Sequence, residues 1–262
     1  MTYKESAVST WTLHKLLSSD SGDPQITLYD VPALLSLHGY KALEICHFHI
    51  TSTDLPSLRL LRVALESEGM RLINILIDTG DISVADPELR AKEIADVRDW
   101  IDIASAVGAE GVRVIAGRQT ASPATLAESA ATLHDLAVYG AERNVAICTE
   151  NWYGLLDTPQ DVLELLRLTE GNIGLKLDFG NWPAPRKFDD LAEIAPYAST
   201  THSKPALTSD GQIDHEDFLR CLKAINSNGF SGRHVLVYDG SGDVWIALAE
   251  LESMLPPHSS KP

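Results

Sequence analysis

The chain has 262 residues, 44% of them hydrophobic and 22% charged, which suits one sizeable core and argues against disorder. Its formal net charge is −16. A surface of that sign repels phosphate backbones and anionic headgroups, and no Lys/Arg run offsets it, so neither nucleic acid nor a membrane surface is an expected partner.

In chain order, residues 1–10 are polar and lack the apolar stretch of a secretory leader. A first, indistinct strand is predicted over residues 6–12, with a helix over 28–38. Short runs rich in Ile, Val and Leu then recur at 42–48, 72–77, 111–116, 145–149, 173–177, 199–202 and 233–238. Their lengths favour strands. Helical periodicity lies between them, over 55–68, 86–107, 122–142, 160–168, 188–197, 214–226 and 243–254. Three of these helices open on a capping residue followed by proline: Asp86-Pro87, Ser122-Pro123 and Thr158-Pro159. Gly39, Gly69, Gly108 and Gly229 stand where helices end before the next strand. The repeated unit of helix, glycine, strand, loop and helix specifies parallel strands under a helical layer. Counting the first strand gives eight, so the fold class is α/β, a single (β/α)8 barrel over residues 1–262. The tail, 256–262, is expected to fray.

No apolar run approaches the roughly 18 residues of a membrane span. The three cysteines, Cys46, Cys148 and Cys221, form no CxxC pair, and such sparse usage fits a reducing, cytoplasmic compartment.

In such barrels the active site lies at the C-terminal ends of the strands. Glu150 follows the fifth strand, Asp178 the sixth, His202 ends the seventh and Asp239 follows the eighth. Four successive strands thus offer a metal-capable side chain at one level. Three carboxylates brought together would repel one another, and a divalent cation removes that problem. The oxygen-rich set suits Mn2+ first, then Mg2+, Co2+ or Zn2+. The competing reading is that these acids are helix caps and loop residues.

The motifs Glu150-Asn151, Gly174-Leu175-Lys176-Leu177-Asp178-Phe179-Gly180-Asn181, Thr201-His202-Ser203-Lys204 and Gly211-Gln212-Ile213-Asp214 resemble the xylose-isomerase-like barrel superfamily of sugar (phosphate) isomerases and epimerases. The resemblance implies one divalent metal held by Glu150, Asp178 and His202 with a second acid. Family members usually place that acid, a glutamate, on the eighth strand, where this chain has Val237. Asp239, two residues on, is the substitute on the same strand face. Many relatives carry a histidine where this chain has Asn181.

Other candidates surround these. His47 and His49 close the second strand and, two apart, are expected to share a face. Both could line the pocket as proton carriers or substrate donors, or bond locally in the helix layer, and its place at the strand end favours the pocket for His49. Trp152 offers a wall for a sugar ring. Asn181, Lys204 and Arg186 could bind substrate oxygens. Asn151 could do so too, or stand with Lys176 behind the ligands and orient them. Trp11, His14, Asp78 and Arg118 are weaker candidates.

The function implied is a divalent-metal-dependent isomerase or epimerase of a sugar-like hydroxy-carbonyl compound. The metal stabilises an enediolate while Glu150 moves the proton, with Asp239 or His49 as partner acid. The same intermediate can expel a β-substituent, so the alternative is a lyase: an inosose or dehydroshikimate dehydratase, or a C-glycoside deglycosidase subunit. A metal-dependent endonuclease and an inactive binding barrel rank lower. The expected partners are a carbohydrate-like small molecule and either another copy, as dimer or tetramer, or a different subunit.

Overall fold

The structure is a computed structural model that describes residues 4–18 and 25–256. The expected frayed tail lies outside these residues, apart from Pro256. Eight parallel strands close into a barrel in the order β1 to β8: Ala7–Ser9, Ala42–Cys46, Arg71–Leu76, Gly111–Arg113, Ala146–Glu150, Gly174–Asp178, Ala198–Ser203 and Arg233–Leu236. The helices are α1 (His14–Leu17), α2 (Val31–Leu37), α3 (Leu55–Ser67), α4 (Pro87–Val107), α5 (Pro123–Ala141), α6 (Pro159–Leu168), α7 (Lys187–Ile194), α8 (His215–Asn226) and α9 (Val244–Met254). Among the described residues, no helix is long and apolar enough to cross a membrane.

The helix starts follow local chemistry. Asp86, Ser122 and Thr158 each accept a hydrogen bond from a backbone N–H of the first turn, and the following proline has no N–H to leave unsatisfied. Gly108 ends α4 at φ 80°, a conformation that a side chain disfavours.

Several strands are shorter than their apolar runs, for reasons visible in the backbone bonding. β1 stops at Ser9 because the Ser9 hydroxyl caps a 3-10 turn over Thr10–Leu13. Just beyond the end of β8 at Leu236, the Val237 N–H reaches the Ser203 carbonyl of β7 at a long 3.5 Å, and the Tyr238 N–H, on the β1 side, donates to the Thr12 side chain instead of to a strand carbonyl. β2 stops at Cys46, and His47–His49 form a 3-10 turn. That turn corrects the expectation of a shared face for His47 and His49, since the two-residue period of a strand does not apply there.

The main core lies between the strands and the helices. Inside the barrel, Ala7, Ala42, Ile73 and Val235 form a separate apolar floor. Above it sits a charged layer. Glu44 and Lys176 are completely buried, and the Lys176 ammonium donates to Glu44 Oε1 at 2.6 Å. The ladder register shifts between Leu43 and Glu44 and again between Leu175 and Lys176. In each case the extra residue is on the neighbouring strand, Ile73 on β3 and Ser199 on β7. A bulge re-aims the side chain that follows it. Here those are Asn74, whose amide donates to Glu44 Oε1 at 2.7 Å, and Thr200, whose hydroxyl accepts from the Lys176 ammonium at 3.0 Å.

Candidate metal centre

β5, β6 and β7 are neighbours, and the register sets Asp178 beside His202 and Glu150 beside Lys176. One ligand atom from each of Glu150, Asp178 and His202 lies within 4.8 Å of the others, and all three residues are buried. His202 Nδ1 is 3.5 Å from Glu150 Oε2 and 3.4 Å from Asp178 Oδ2. Each carboxylate is held by one oxygen. Glu150 Oε1 accepts from the Asn181 amide at 2.8 Å, and Asp178 Oδ1 accepts from the Gly180 N–H. Glu150 Oε2 is buried without a hydrogen-bond partner. A buried carboxylate oxygen rarely goes unpaired. A cation between these three groups would satisfy it, and two carboxylates with one imidazole suit Mn2+, Mg2+ or Zn2+. The residues present therefore fit a divalent ion.

The other imidazole nitrogen is fixed from below. His202 Nε2 lies 2.9 Å from Glu44 Oε2, and the rest of Glu44 is held by Lys176 and by the Asn74 amide at 2.7 Å. With its proton on Nε2 toward Glu44, the ring presents a lone pair on Nδ1 to the site. Burial opposes the charge on Glu44, but Lys176, His202 and Asn74 outweigh it and lower its pKa to about 2. Burial and Lys176 push the His202 imidazole down, yet Glu150 and Asp178 outweigh them and raise it to about 10. Glu150 is likewise held below the usual carboxylate range: burial works against it, while His202, Arg113 and Lys176 favour its charge.

Glu44 and Arg113 were missed as site residues in the sequence. Arg113 ends β4, is 2% exposed, pairs with Asp78 and brings its Nε to 3.1 Å from Glu150 Oε2 without a hydrogen bond. The available signal was a lone charge inside an apolar strand, as in Ala-Leu-Glu44-Ile-Cys and Gly-Val-Arg113-Val-Ile. Such a charge must find a partner across the barrel.

The triad opens into a cavity of about 340 Å³ whose walls include Trp11, Phe48, Trp152, Asn181, Lys204 and Val237. Trp152 stacks on Tyr153 at 4.3 Å and lies 5.2 Å from the Arg113 guanidinium. Asn151 is buried under the site. Its Oδ1 accepts from the Asp178 N–H at 2.7 Å and its amide donates to the Asp178 carbonyl at 3.2 Å, so it pins the β6 end to the β5 end.

The remaining candidates lie apart from the triad. Asp239 pairs with Lys204 at 2.6 Å and lines a different cavity, so its carboxylate is not among the three that meet. His49 is buried between Thr10 Oγ1, at 2.8 Å, and His14 Nδ1, at 3.0 Å. Burial, with His14 and His47 nearby, lowers it to about 4. His47 places Nδ1 3.2 Å from the Leu76 carbonyl and its ring against Trp100. Arg186 is exposed and paired with Asp190 at 2.8 Å on its own helix. Arg118 reaches the Gly80 and Asp78 carbonyls.

The profile of the xylose isomerase-like TIM barrel family matches residues 32–239. No curated protein matches the chain. Solved structures do, with the same fold. L-ribulose 3-epimerase has 20% identity and a TM-score of 0.70, covering 97% of this chain and 88% of its own. The probable 3-DHS dehydratase of petrobactin synthesis from Bacillus anthracis has 18% identity and a TM-score of 0.68, with 97% and 98% covered. A xylose isomerase-like TIM barrel protein from Mycobacterium smegmatis, in complex with magnesium, has 16% identity and a TM-score of 0.68, with 97% and 95% covered. A closed eight-stranded barrel and a family match over most of its length place this chain in the xylose isomerase-like TIM barrel family.

Proposed function

We propose that this protein is a divalent-metal-dependent isomerase or epimerase that moves a proton beside the carbonyl of a sugar-like substrate. The observation that carries the reading is the buried Glu150–Asp178–His202 group at a cavity wall, with Glu150 Oε2 lacking a hydrogen bond although Arg113 and His202 stand beside it. The names of the structural relatives, an epimerase and a dehydratase among them, agree with that class, and the magnesium complex of another relative agrees with a divalent ion.

When bound, the ion would polarise the substrate carbonyl and stabilise the negative charge that develops as the neighbouring C–H is broken. Glu150, Asp178 and Nδ1 of His202 would hold it. Glu150 would also take the proton, a role supported by the Asn181 amide, which holds its other oxygen and so its direction. A carboxylate held low in pKa is a weak base, so abstraction depends on an acidified C–H. Trp152 and Phe48 give the ring apolar walls, and Lys204 can donate to a substrate oxygen.

A second reading, β-elimination, is favoured by one observation. Val237 lines the cavity where the family resemblance expects a glutamate, and Asp239 is turned into another cavity. With no acid there to return a proton on the opposite face, one-base chemistry is favoured. That is an isomerisation in which Glu150 carries the proton between adjacent carbons, or loss of a β-hydroxyl as water with the proton that Glu150 has taken.

The test is proton exchange in heavy water across ketoses, 3-keto-glycosides and cyclic hydroxy-ketones. Deuterium should enter at the carbon next to the carbonyl, only with Mn2+ or Mg2+ present, and not in Glu150→Gln. Metal-loaded protein that exchanges none of the panel would sink the proposal, and dehydrated products would select the elimination reading.

A further inference from the structure

Beside the cavity at the triad lies a second one of about 310 Å³, at the β1 and β8 ends of the barrel. Trp11 is part of both walls. The Lys204–Asp239 ion pair also joins them: Lys204 lines the first cavity and Asp239 the second. Each volume is at the small end for ligand sites, so a molecule of two rings would need both.

The second cavity's chemistry limits what can enter. Apolar and aromatic surface comes from Leu16, Val244, Trp11 and Tyr238, and polar atoms from His14 and Asp239. In barrels of this fold, the loop after the eighth strand and an adjacent helix N-terminus often hold a phosphate. Here that place is already filled. Asp243 accepts from the Trp245 and Ile246 N–H groups at 2.8 and 3.3 Å, so the first turn of α9 already carries a carboxylate. Lys15, the cation in this wall, donates to the Gly240 carbonyl at 2.9 Å. Lys204 is neutralised by Asp239. A phosphate here would meet the Asp239 carboxylate, with Lys204 already paired to that acid and Asp243 already on the first turn of α9.

We infer that the second cavity is a subsite for an uncharged second ring, sugar or aryl, joined to the ring that the triad cavity holds, and that it turns phosphate esters away. This rests on the sugar-like substrate proposed above and narrows it to uncharged conjugates.

The test is a binding titration with and without manganese, using matched probes: free monosaccharides, their phosphate monoesters, their phenyl glycosides and the corresponding disaccharides. The uncharged two-ring probes should bind at least tenfold tighter than the monosaccharide, and the phosphate ester no tighter. Comparing the phenyl and disaccharide arms identifies which ring is taken. Val244→Trp, which fills the second cavity, should abolish the tenfold gain while manganese affinity, read on the same protein, stays at the wild-type value. Leu16→Trp serves the same purpose if the first variant does not fold. A phosphate ester that binds tightest, or a two-ring gain that survives either filled cavity, overturns the inference. If manganese binds and no sugar probe does, the metal centre stands and the subsite falls. If two-ring probes bind and manganese does not, the subsite stands and the metal-dependent reading falls.

Discussion

Glu44 Oε2 lies 2.9 Å from His202 Nε2 inside the barrel, behind the cavity that the histidine lines. The contact fixes which nitrogen carries the proton and leaves Nδ1 for Glu150 and Asp178 to share with a cation. Replacing Glu44 by glutamine offers an amide that can donate to Nε2 and so favour the wrong tautomer. Manganese affinity should then fall by about 10- to 100-fold, the usual range for losing such a partner. Glu44→Gln also strands the Lys176 charge, and breaking one side of a buried pair costs about 3–5 kcal/mol. The double variant Glu44→Gln/Lys176→Met should recover most of the melting temperature and none of the metal affinity. Recovery of both would mean that Glu44 serves only to balance Lys176.

Removing the ion should destabilise the fold, because an ion that binds only the native state adds stability by mass action. Metal at about 1,000 times its Kd adds about 4 kcal/mol. The melting temperature should fall with a chelator and return with Mn2+, and Asp178→Asn should show neither change. A chelator response that persists in Asp178→Asn would place the ion elsewhere.

The pH dependence of metal binding follows from His202. Its pKa is raised to about 10 by Glu150 and Asp178 against burial and Lys176, so near neutral pH the ion-free protein carries a proton that the ion must displace. Binding therefore releases about one proton, and affinity should rise about tenfold per pH unit between about pH 6 and 8. Titration calorimetry in buffers of different ionisation enthalpy reads that proton directly. A pH-independent affinity would contradict the geometry.

His49 has the opposite sign. Its folded pKa is lowered to about 4, chiefly by burial, so the unfolded chain takes up the proton first as the solution is acidified. Stability from this group is complete above the unfolded value near pH 6.5 and is lost toward pH 4. Between about pH 7.5 and 5 the loss should be on the order of 2 kcal/mol. Denaturant melts of wild type and His49→Gln should differ in their acid-side slope, and parallel slopes would remove His49 as the cause.

Val237→Glu places a carboxylate in the wall of the cavity that Glu150 also lines. Without metal it should lower the melting temperature, since Val237 is 4% exposed and a buried charge is unpaired there. With Mn2+ the loss should be recovered and metal affinity should rise about tenfold. A loss that Mn2+ does not recover would show that the new acid cannot reach the ion.

The order of strands and helices was legible in the sequence because burial on both faces makes each barrel strand a short apolar run, and because Asp86, Ser122 and Thr158 with their prolines mark helix starts. The strand ends were less legible. Thr12, far from β8 in sequence, takes the Tyr238 N–H just beyond that strand, and a 3-10 turn after Cys46 separates His47 from His49.

The sequence by itself determined the barrel and put Glu150, Asp178 and His202 at the ends of three consecutive strands. Neighbouring parallel strands place their ends side by side, so order alone brings those residues close. Only the tertiary structure decided the rest. Glu44 meets Lys176 and His202 across the barrel interior, 132 and 158 residues away, because burial forces their charges to pair, and register shifts on β3 and β7 bring Asn74 and Thr200 beside that pair. Asp239 is at the right height on its strand, yet it turns to Lys204 and a second cavity, a choice set by a cation on the neighbouring strand's loop that no spacing rule contains.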